Sequence, residues 1–175
     1  MLRRLRRCFR PNNTKPRLAV SALVQSMDDE TFLQQFEAAN FTAEQWHHPE
    51  HIKVAYLYLC RYSFDESVDR MRAGLKTLNA KQNVPESLTR GYHETLTQVW
   101  MRLVQLTIEL YGTAESSDVF YQQSPQLSQP KVLRLFYSRD VIMSAQAKAE
   151  FVEPDLTPLP TSKKLAAPGV FPGAK

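Results

Sequence analysis

The sequence predicts an all-α protein: an antiparallel helical bundle of about four main helices, followed by short C-terminal helices and a Pro-rich tail. Apolar residues recur at spacings of three and four along most of the chain, as they do on the buried face of a helix. No segment alternates apolar and polar residues in the way that marks a half-buried strand. The length of 175 residues suits one domain with a core of its own.

The basic charge of the chain is concentrated at one end. Residues 1–27 hold seven basic side chains and no acid, whereas the rest of the chain is mildly acidic and the total is +4. We interpret residues 1–27 as a basic leader, either disordered or an over-extended start ahead of an initiation at Met27. Two alternatives stay open: a mitochondrial transit peptide, and a basic arm that touches anionic surfaces.

The helical domain is expected over residues 28–153 and the Pro-rich tail over residues 154–175. Five of the eleven prolines of the chain lie in that tail. Proline lacks a backbone N–H and interrupts helices and central strands, so the tail is expected to be irregular and disordered towards its end.

The first helix is expected over residues 28–39, because acidic residues open it and apolar residues then recur at helical spacing. The pair Thr42 and Gln45 is typical of a capping box and predicts a short helical turn that carries Trp46.

A second helix is expected to start at Pro49, because proline suits the first turn of a helix. This start makes His48 the N-cap and His51 the N3 residue. The helix then runs to Cys60 with apolar residues on most sides, which predicts the central helix of the bundle.

The third helix is expected from Ser63 or Asp65 to residue 78, with a clean amphipathic stripe. A fourth helix follows a cap at Ser87 or Thr89 and ends near Tyr111, before a glycine. Two shorter helical stretches follow, over residues 118–122 and, hinged near Ser138, over residues 130–149.

Composition limits the classes of partner and compartment. The mildly acidic body is not expected to bind nucleic acid, and no apolar run approaches the roughly 20 residues of a membrane-spanning helix. Cys60 lies in an apolar helical run and is expected to be a buried free thiol, which suits a reducing compartment. We therefore expect a soluble cytoplasmic protein, or a mitochondrial one if the leader is a transit peptide. The oligomeric state is left open.

The candidate site rests on histidine. All four histidines lie in two short segments, residues 46–51 and 91–97. Imidazole is a common ligand of zinc, iron and other divalent transition metals, and metal sites on helices often take two ligands one turn apart. His48 and His51 have that spacing, and His93 on the fourth helix is the third expected ligand.

The residues beside these histidines have candidate roles in the same site. We expect Glu94 to act as a general base on metal-bound water, or as a further ligand, with Glu50 as its alternative. Trp46, Tyr92 and Thr97 are expected to line the pocket or to support the ligands. The opposing interpretation is structural: histidines near helix starts are often caps, and aromatic residues at helical spacing are usually core.

Three motifs carry a resemblance to a family. They are Trp46-x-His48-x-x-His51, the segment Tyr-His-Glu-Thr-Leu-Thr over residues 92–97, and Phe-Val-Glu-Pro-Asp-Leu-x-Pro-Leu-Pro over residues 151–160. Together they resemble a family of small, mostly bacterial helical proteins of unassigned function, over about residues 41–160. The resemblance implies that the two histidine motifs belong together, and implies no substrate or reaction. Members tend to have a charged residue where this chain has Pro49.

Two hypotheses of function follow. The first is a small helical protein with a divalent-metal site, zinc or iron, which would serve a metal-dependent enzyme acting on a small molecule. The second is a non-catalytic module that binds a small-molecule ligand, or a helical adaptor in which the histidines are structural. The chain has no Gly-x-Ser-x-Gly elbow and no Gly-rich phosphate loop, which disfavours serine hydrolases and nucleotide-binding enzymes.

Overall fold

The structure is a computed structural model, and it describes residues 27–161. Residues 1–26 of the predicted basic leader and the last part of the predicted tail lie outside the described residues. Within them the regular structure is helical and no strand is formed, so the all-α prediction is confirmed. The helices are α1 (Asp29–Glu37), α2 (His48–Leu59), α3 (Phe64–Lys81), α4 (Glu94–Tyr111), α5 (Ser117–Gln123), α6 (Arg139–Ile142) and α7 (Ala145–Ala149), with 3₁₀ turns at Pro125–Ser128 and Pro130–Leu135.

Helix α1 begins as its sequence predicts. The Asp28 carboxylate accepts a hydrogen bond from the Thr31 N–H at 2.9 Å and thereby caps the helix. Its apolar face, with Phe32 and Phe36, is buried. The turn before Trp46 is not a helix. The predicted contact between its two residues is present, however, because the Gln45 side chain accepts a hydrogen bond from the Thr42 N–H.

Helix α2 begins one residue earlier than predicted. His47, not His48, is the N-cap, and Glu50 at N3 accepts the His47 N–H at 2.9 Å. Pro49 therefore occupies the second helical position, where an N–H would lack a partner within the helix in any case. His51 lies beyond the N-terminal positions that take part in capping.

Helix α2 is the centre of the bundle, because it packs against α1, α3, α4 and α5. Every residue from Ile52 to Tyr58 is buried, and these include a lysine. The Lys53 Nζ lies 2.9 Å from Asp118 Oδ1 on α5 and 4.2 Å from the centroid of the Phe32 ring. The buried Lys53 ammonium is thus paired with the Asp118 carboxylate, and this ion pair links α5 to the central helix.

The prediction of a buried thiol at Cys60 is wrong. The side chain is exposed, because the helix ends at Leu59 and Cys60 is its C-cap. The apolar run therefore ends one residue before the cysteine, and the expectation of a reducing compartment loses the burial on which it depended.

The chain after α4 wraps back over the bundle. The stretch predicted as two pieces hinged near Ser138 has a second break at Ser144, and both serines cap the helix that follows. Helix α7 packs against α4. The buried Thr95 hydroxyl joins the segment after α7 to α4, since it donates to Glu150 O at 2.8 Å and accepts the Val152 N–H at 3.1 Å.

The first residues of the predicted tail belong to the packed structure. Asp155 accepts the Ser138 N–H at 2.8 Å, and the Leu156 N–H donates to Phe136 O at 3.0 Å. Residues 151–161 form no helix, as their prolines predict. Across the described residues 27–161, no helix combines the length and apolar character that a bilayer crossing requires.

Candidate functional site

A cavity of about 480 Å³ lies between α2, α3 and α4, and all four histidines line it. Both tryptophans of the chain, Trp46 and Trp100, also line it. The remaining lining residues are mostly apolar: Ala55, Met71, Leu75, Asn79, Val84, Gly91, Tyr92, Leu96, Thr97, Met101 and Pro130. Residues of both histidine segments thus line one cavity.

Each histidine of this cavity has a different set of partners. His48 points its Nε2 at the carbonyl oxygen of Leu127, 2.7 Å away. A carbonyl only accepts, so Nε2 is the protonated nitrogen and the ring is fixed in that tautomer. The Trp100 ring meets His48 edge to face with 4.5 Å between centroids. Burial lowers the pKa of His48, and the Leu127 carbonyl opposes this shift.

His93 uses both of its ring nitrogens. It is the N-cap of α4 rather than a residue within the helix, so the predicted caps Ser87 and Thr89 are wrong. Its Nδ1 accepts the Leu96 N–H at 3.3 Å, and its Nε2 donates to Ile142 O at 2.9 Å. In this neutral tautomer the only lone pair of the ring is already engaged, so it is not free for a metal.

His51 has no such partner. Within residues 27–161, no group lies at hydrogen-bonding distance from either of its ring nitrogens. The ring faces Trp46, with centroids 4.7 Å apart, and is densely surrounded although the cavity leaves it partly exposed. Burial, reinforced by repulsion from His48 and His47, lowers its pKa to about 4. His51 is therefore neutral near pH 7.

Trp46 joins the cavity to the core. Its indole stacks on Phe36, with centroids 5.0 Å apart and planes 10° apart, and it also contacts Phe41. The core thus holds the indole that faces His51. Trp46 lines the cavity, and its role in a functional site stays a prediction.

Glu94, the predicted general base, is not among the residues that line the cavity. Its carboxylate accepts both Nε and Nη2 of Arg72, at 2.9 and 2.6 Å, and also the Tyr92 hydroxyl and the Gln98 amide. Hydrogen bonds from Arg72 lower its pKa to about 2, despite its burial. Such a carboxylate is a weak base, so this geometry gives no support to a catalytic role.

The other predicted supporting residues divide into two groups. Tyr92 and Thr97 line the cavity, and the Thr97 hydroxyl donates to His93 O at 2.9 Å. Glu50 does not line it, because its carboxylate caps α2. Burial raises the pKa of Glu50, and the His47 N–H opposes that shift.

One wall of the cavity is a loop that ends in Gly91 and Tyr92. Gly91 has φ +85°, and a Cβ there would lie 2.2 Å from the Glu86 carboxylate, so glycine is required. The same carboxylate accepts the Tyr92 N–H at 2.9 Å. Lys148 on α7 bonds to Glu86 and to the carbonyls of Arg90 and Tyr92, which holds the loop against the helices.

The described residues do not assemble the predicted three-histidine metal site. Within residues 27–161, no three side chains of His, Cys, Asp or Glu lie close enough together to hold one ion. The cavity brings His48, His51 and His93 to one place but turns two of them towards backbone carbonyls. Metal binding therefore stays a prediction, without three-ligand geometry to support it.

Sequence reasoning missed Trp100 as a lining residue. Periodicity placed Trp100 on the same helical face as His93, but an aromatic residue at helical spacing was interpreted as core. The methionines Met71 and Met101 were missed for the same reason. The available signal was the position of both tryptophans, since Trp46 lies in one histidine segment and Trp100 lies three residues after the other.

Comparison with known proteins gives no relative for this chain: no family model, no curated protein and no solved structure matches it.

Proposed function

We propose that the protein binds a small, mostly apolar molecule in the cavity between α2, α3 and α4. The observation that carries this proposal is the cavity itself, about 480 Å³ in volume and lined by both tryptophans and all four histidines. Sites for small molecules are typically concave, mostly apolar and roughly 300–1,000 Å³ in volume, with a few polar groups that orient the ligand.

The charge of the lining supports an uncharged guest. Among the described residues, those that line the cavity include no Asp, Glu, Lys or Arg. Transfer of an unpaired charge into such surroundings is costly, so the enclosed part of the ligand is neutral.

The partners of the histidines support binding rather than catalysis. His48 and His93 bind backbone carbonyls of the chain after α4, and the Glu94 carboxylate is paired with Arg72. Three of the groups first considered for chemistry thus have structural partners. His51, whose ring nitrogens have no hydrogen-bond partner within residues 27–161, is one polar lining group that can orient a ligand.

The two tryptophans provide a direct test, because both line the cavity. In the NMR spectrum of the ¹⁵N-labelled full chain, the two indole N–H signals come from these two tryptophans and therefore report on the cavity. We expect small neutral fragments, aliphatic or aromatic, to shift both signals in a saturable way. Fragments that bind elsewhere on the surface would leave both signals in place.

A cavity-filling variant provides the control. Leu96→Trp adds bulk to the lining of the cavity, whereas Leu110→Trp makes the same change on an exposed part of α4 outside it. The first variant should weaken fragment binding by about tenfold or more, equivalent to about 1.4 kcal/mol, and the second should not. The proposal is wrong if no fragment moves either indole signal, or if both variants bind equally well.

The second candidate is the metal-dependent enzyme that the histidine segments predict. One observation favours it, namely that all four histidines line one cavity. Its test is elemental analysis of the purified full chain, before and after equilibration with zinc or iron(II). About one equivalent of metal that is lost in His51→Ala would support it, whereas metal below about 0.1 equivalent would exclude it.

A further inference from the structure

We infer that the ligand of this cavity is a flat, uncharged aromatic molecule that carries a hydroxyl or N–H group, and that this group hydrogen-bonds to His51. The inference rests on the proposed binding function and adds to it the chemical class of the ligand. It depends on the rings that surround the cavity, on the partners of its histidines and on the charge of its lining.

The aromatic character of the ligand follows from the rings of the cavity. Trp46 packs against His51, and Trp100 meets the edge of His48, so two ring pairs line the cavity. The Tyr92 ring lies on the same cavity. Aromatic side chains attract other aromatic rings in offset or edge-to-face contacts, beyond the effect of buried area. Met71 and Met101 add polarizable sulfur, which also favours contact with aromatic rings.

The polar group of the ligand follows from His51. A neutral imidazole has one N–H donor and one acceptor nitrogen, and His51 has no partner for either in the described chain. The cavity leaves the ring partly exposed, so a ligand that enters the cavity can reach His51, and a hydrogen bond to the imidazole then adds to the binding free energy. A hydroxyl both donates and accepts, and therefore matches either tautomer of His51.

The neutrality of the ligand follows from the absence of a counter-ion. The described residues contribute no Lys, Arg, Asp or Glu to this lining, and the nearby Glu94 is already paired with Arg72. A carboxylate, phosphate or ammonium group would enter the cavity without a partner of opposite charge. These classes of ligand are therefore excluded from it.

Three probes of one shape separate these requirements: naphthalene, a naphthol and the corresponding naphthalenesulfonate. Each is titrated into the full chain near neutral pH, with the two indole signals as the readout. We expect the naphthol to bind about fivefold to tenfold tighter than naphthalene, as one added hydrogen bond allows. The sulfonate should leave both indole signals in place.

Variants of His51 assign the preference to one side chain. His51→Leu should remove the advantage of the naphthol while naphthalene still binds, and His51→Gln should restore part of that advantage. The matched control is Gln105→Leu, the same kind of change on α4 outside the cavity, which should keep the full advantage. Dispersed indole signals in each variant verify that it is folded.

Several results would overturn the inference. Equal affinities for the naphthol and naphthalene, or an advantage that survives in His51→Leu, would remove His51 from recognition. Tighter binding of the sulfonate would refute a neutral ligand. If aliphatic fragments bind and none of the three probes does, the ligand is not aromatic, yet the proposed binding function still stands. If every fragment fails, the binding function itself is wrong.

Discussion

The three histidines first considered as one metal site differ in what each ring nitrogen contacts. His93 has both nitrogens engaged, His48 donates to a carbonyl, and His51 is left with the cavity. All three rings have a pKa below the ordinary value, with burial as the first cause. They are therefore neutral near pH 7, and the folded state resists their protonation.

This difference predicts a pH dependence of stability. The pKa of His51 is lowered from 6.5 to about 4, so between these values the unfolded chain binds a proton that the folded chain does not. Stability therefore falls as the pH decreases from 6.5 to about 4, and this one ring accounts for up to about 3 kcal/mol of the loss. Urea unfolding at several pH values measures it. His51→Leu should flatten the curve, and the same change at the exposed His47 should leave it steep.

Glu94 gives a second prediction at this scale. Its buried carboxylate accepts two hydrogen bonds from the Arg72 guanidinium, so Glu94→Gln should destabilise the fold by about 2 kcal/mol. The loss is smaller than for a fully buried ion pair, because Arg72 is partly exposed. Urea unfolding of the single variants and of the double variant with Arg72→Met isolates the pair. If Glu94→Gln is fully stable and instead loses metal or activity, the predicted catalytic role regains support.

At the scale of elements, caps and long-range carbonyl contacts position the cavity. The first residues of α2 and α4 supply histidines that hold the turn Pro125–Ser128 and the end of α6, respectively. The loop that closes one wall is held by a single lysine of α7. The shape of the cavity therefore depends on segments far from it in the sequence.

Lys148→Met should loosen this loop without unfolding the bundle. The change removes three contacts of one ammonium group, so the amide hydrogens of residues 86–92 should exchange faster by about tenfold or more. Hydrogen exchange with mass spectrometry measures this effect. Lys131→Met, an exposed lysine on a 3₁₀ turn, is the control. Unchanged exchange in the loop of Lys148→Met would show that Lys148 does not hold it.

At the scale of the whole molecule, the C-terminal segment completes the fold. Buried groups from the bundle accept and donate the hydrogen bonds of its backbone, as Thr95 does for Glu150 and Val152. The Arg102 guanidinium lies 4.3 Å from the centroid of the Phe151 ring. The carbonyls that accept from His48 and His93 belong to earlier parts of the chain after α4, at Leu127 and Ile142.

Thr95→Val tests the docking of this segment. The variant preserves the shape of the side chain but removes the hydroxyl that bonds to the Glu150 carbonyl and the Val152 N–H, at a cost of about 1–2 kcal/mol. Limited proteolysis should then cut within residues 150–161 sooner than in the parent chain. Thr107→Val is matched to it, because the buried Thr107 hydroxyl bonds only within α4. Equal cleavage of the two variants would contradict this docking role.

The sequence by itself determined the helices and the neighbourhood of the site. Periodicity, caps and prolines act between residues a few positions apart, so α1 to α4 and the break at Ser138 were predictable. The concentration of histidine in two segments pointed to the cavity that they now line. The start of α2 was wrong by one residue, because either of the adjacent residues His47 and His48 could have been the N-cap. The caps predicted for α4 were also wrong, because His93 caps that helix.

Only the tertiary structure decided what each of those residues contacts. The partner of His48 lies 79 residues away and that of His93 lies 49 residues away, both as backbone carbonyls that any sequence supplies. Arg72 meets Glu94 from another helix across 22 residues. Every residue has a backbone carbonyl, so the sequence does not indicate which carbonyl a histidine binds. The same imidazoles were therefore as consistent with a metal site as with structural hydrogen bonds. Packing of the chain after α4 distinguishes a metal ligand from a structural histidine, because the carbonyls of Leu127 and Ile142 engage two of the rings and His51 is left facing the cavity.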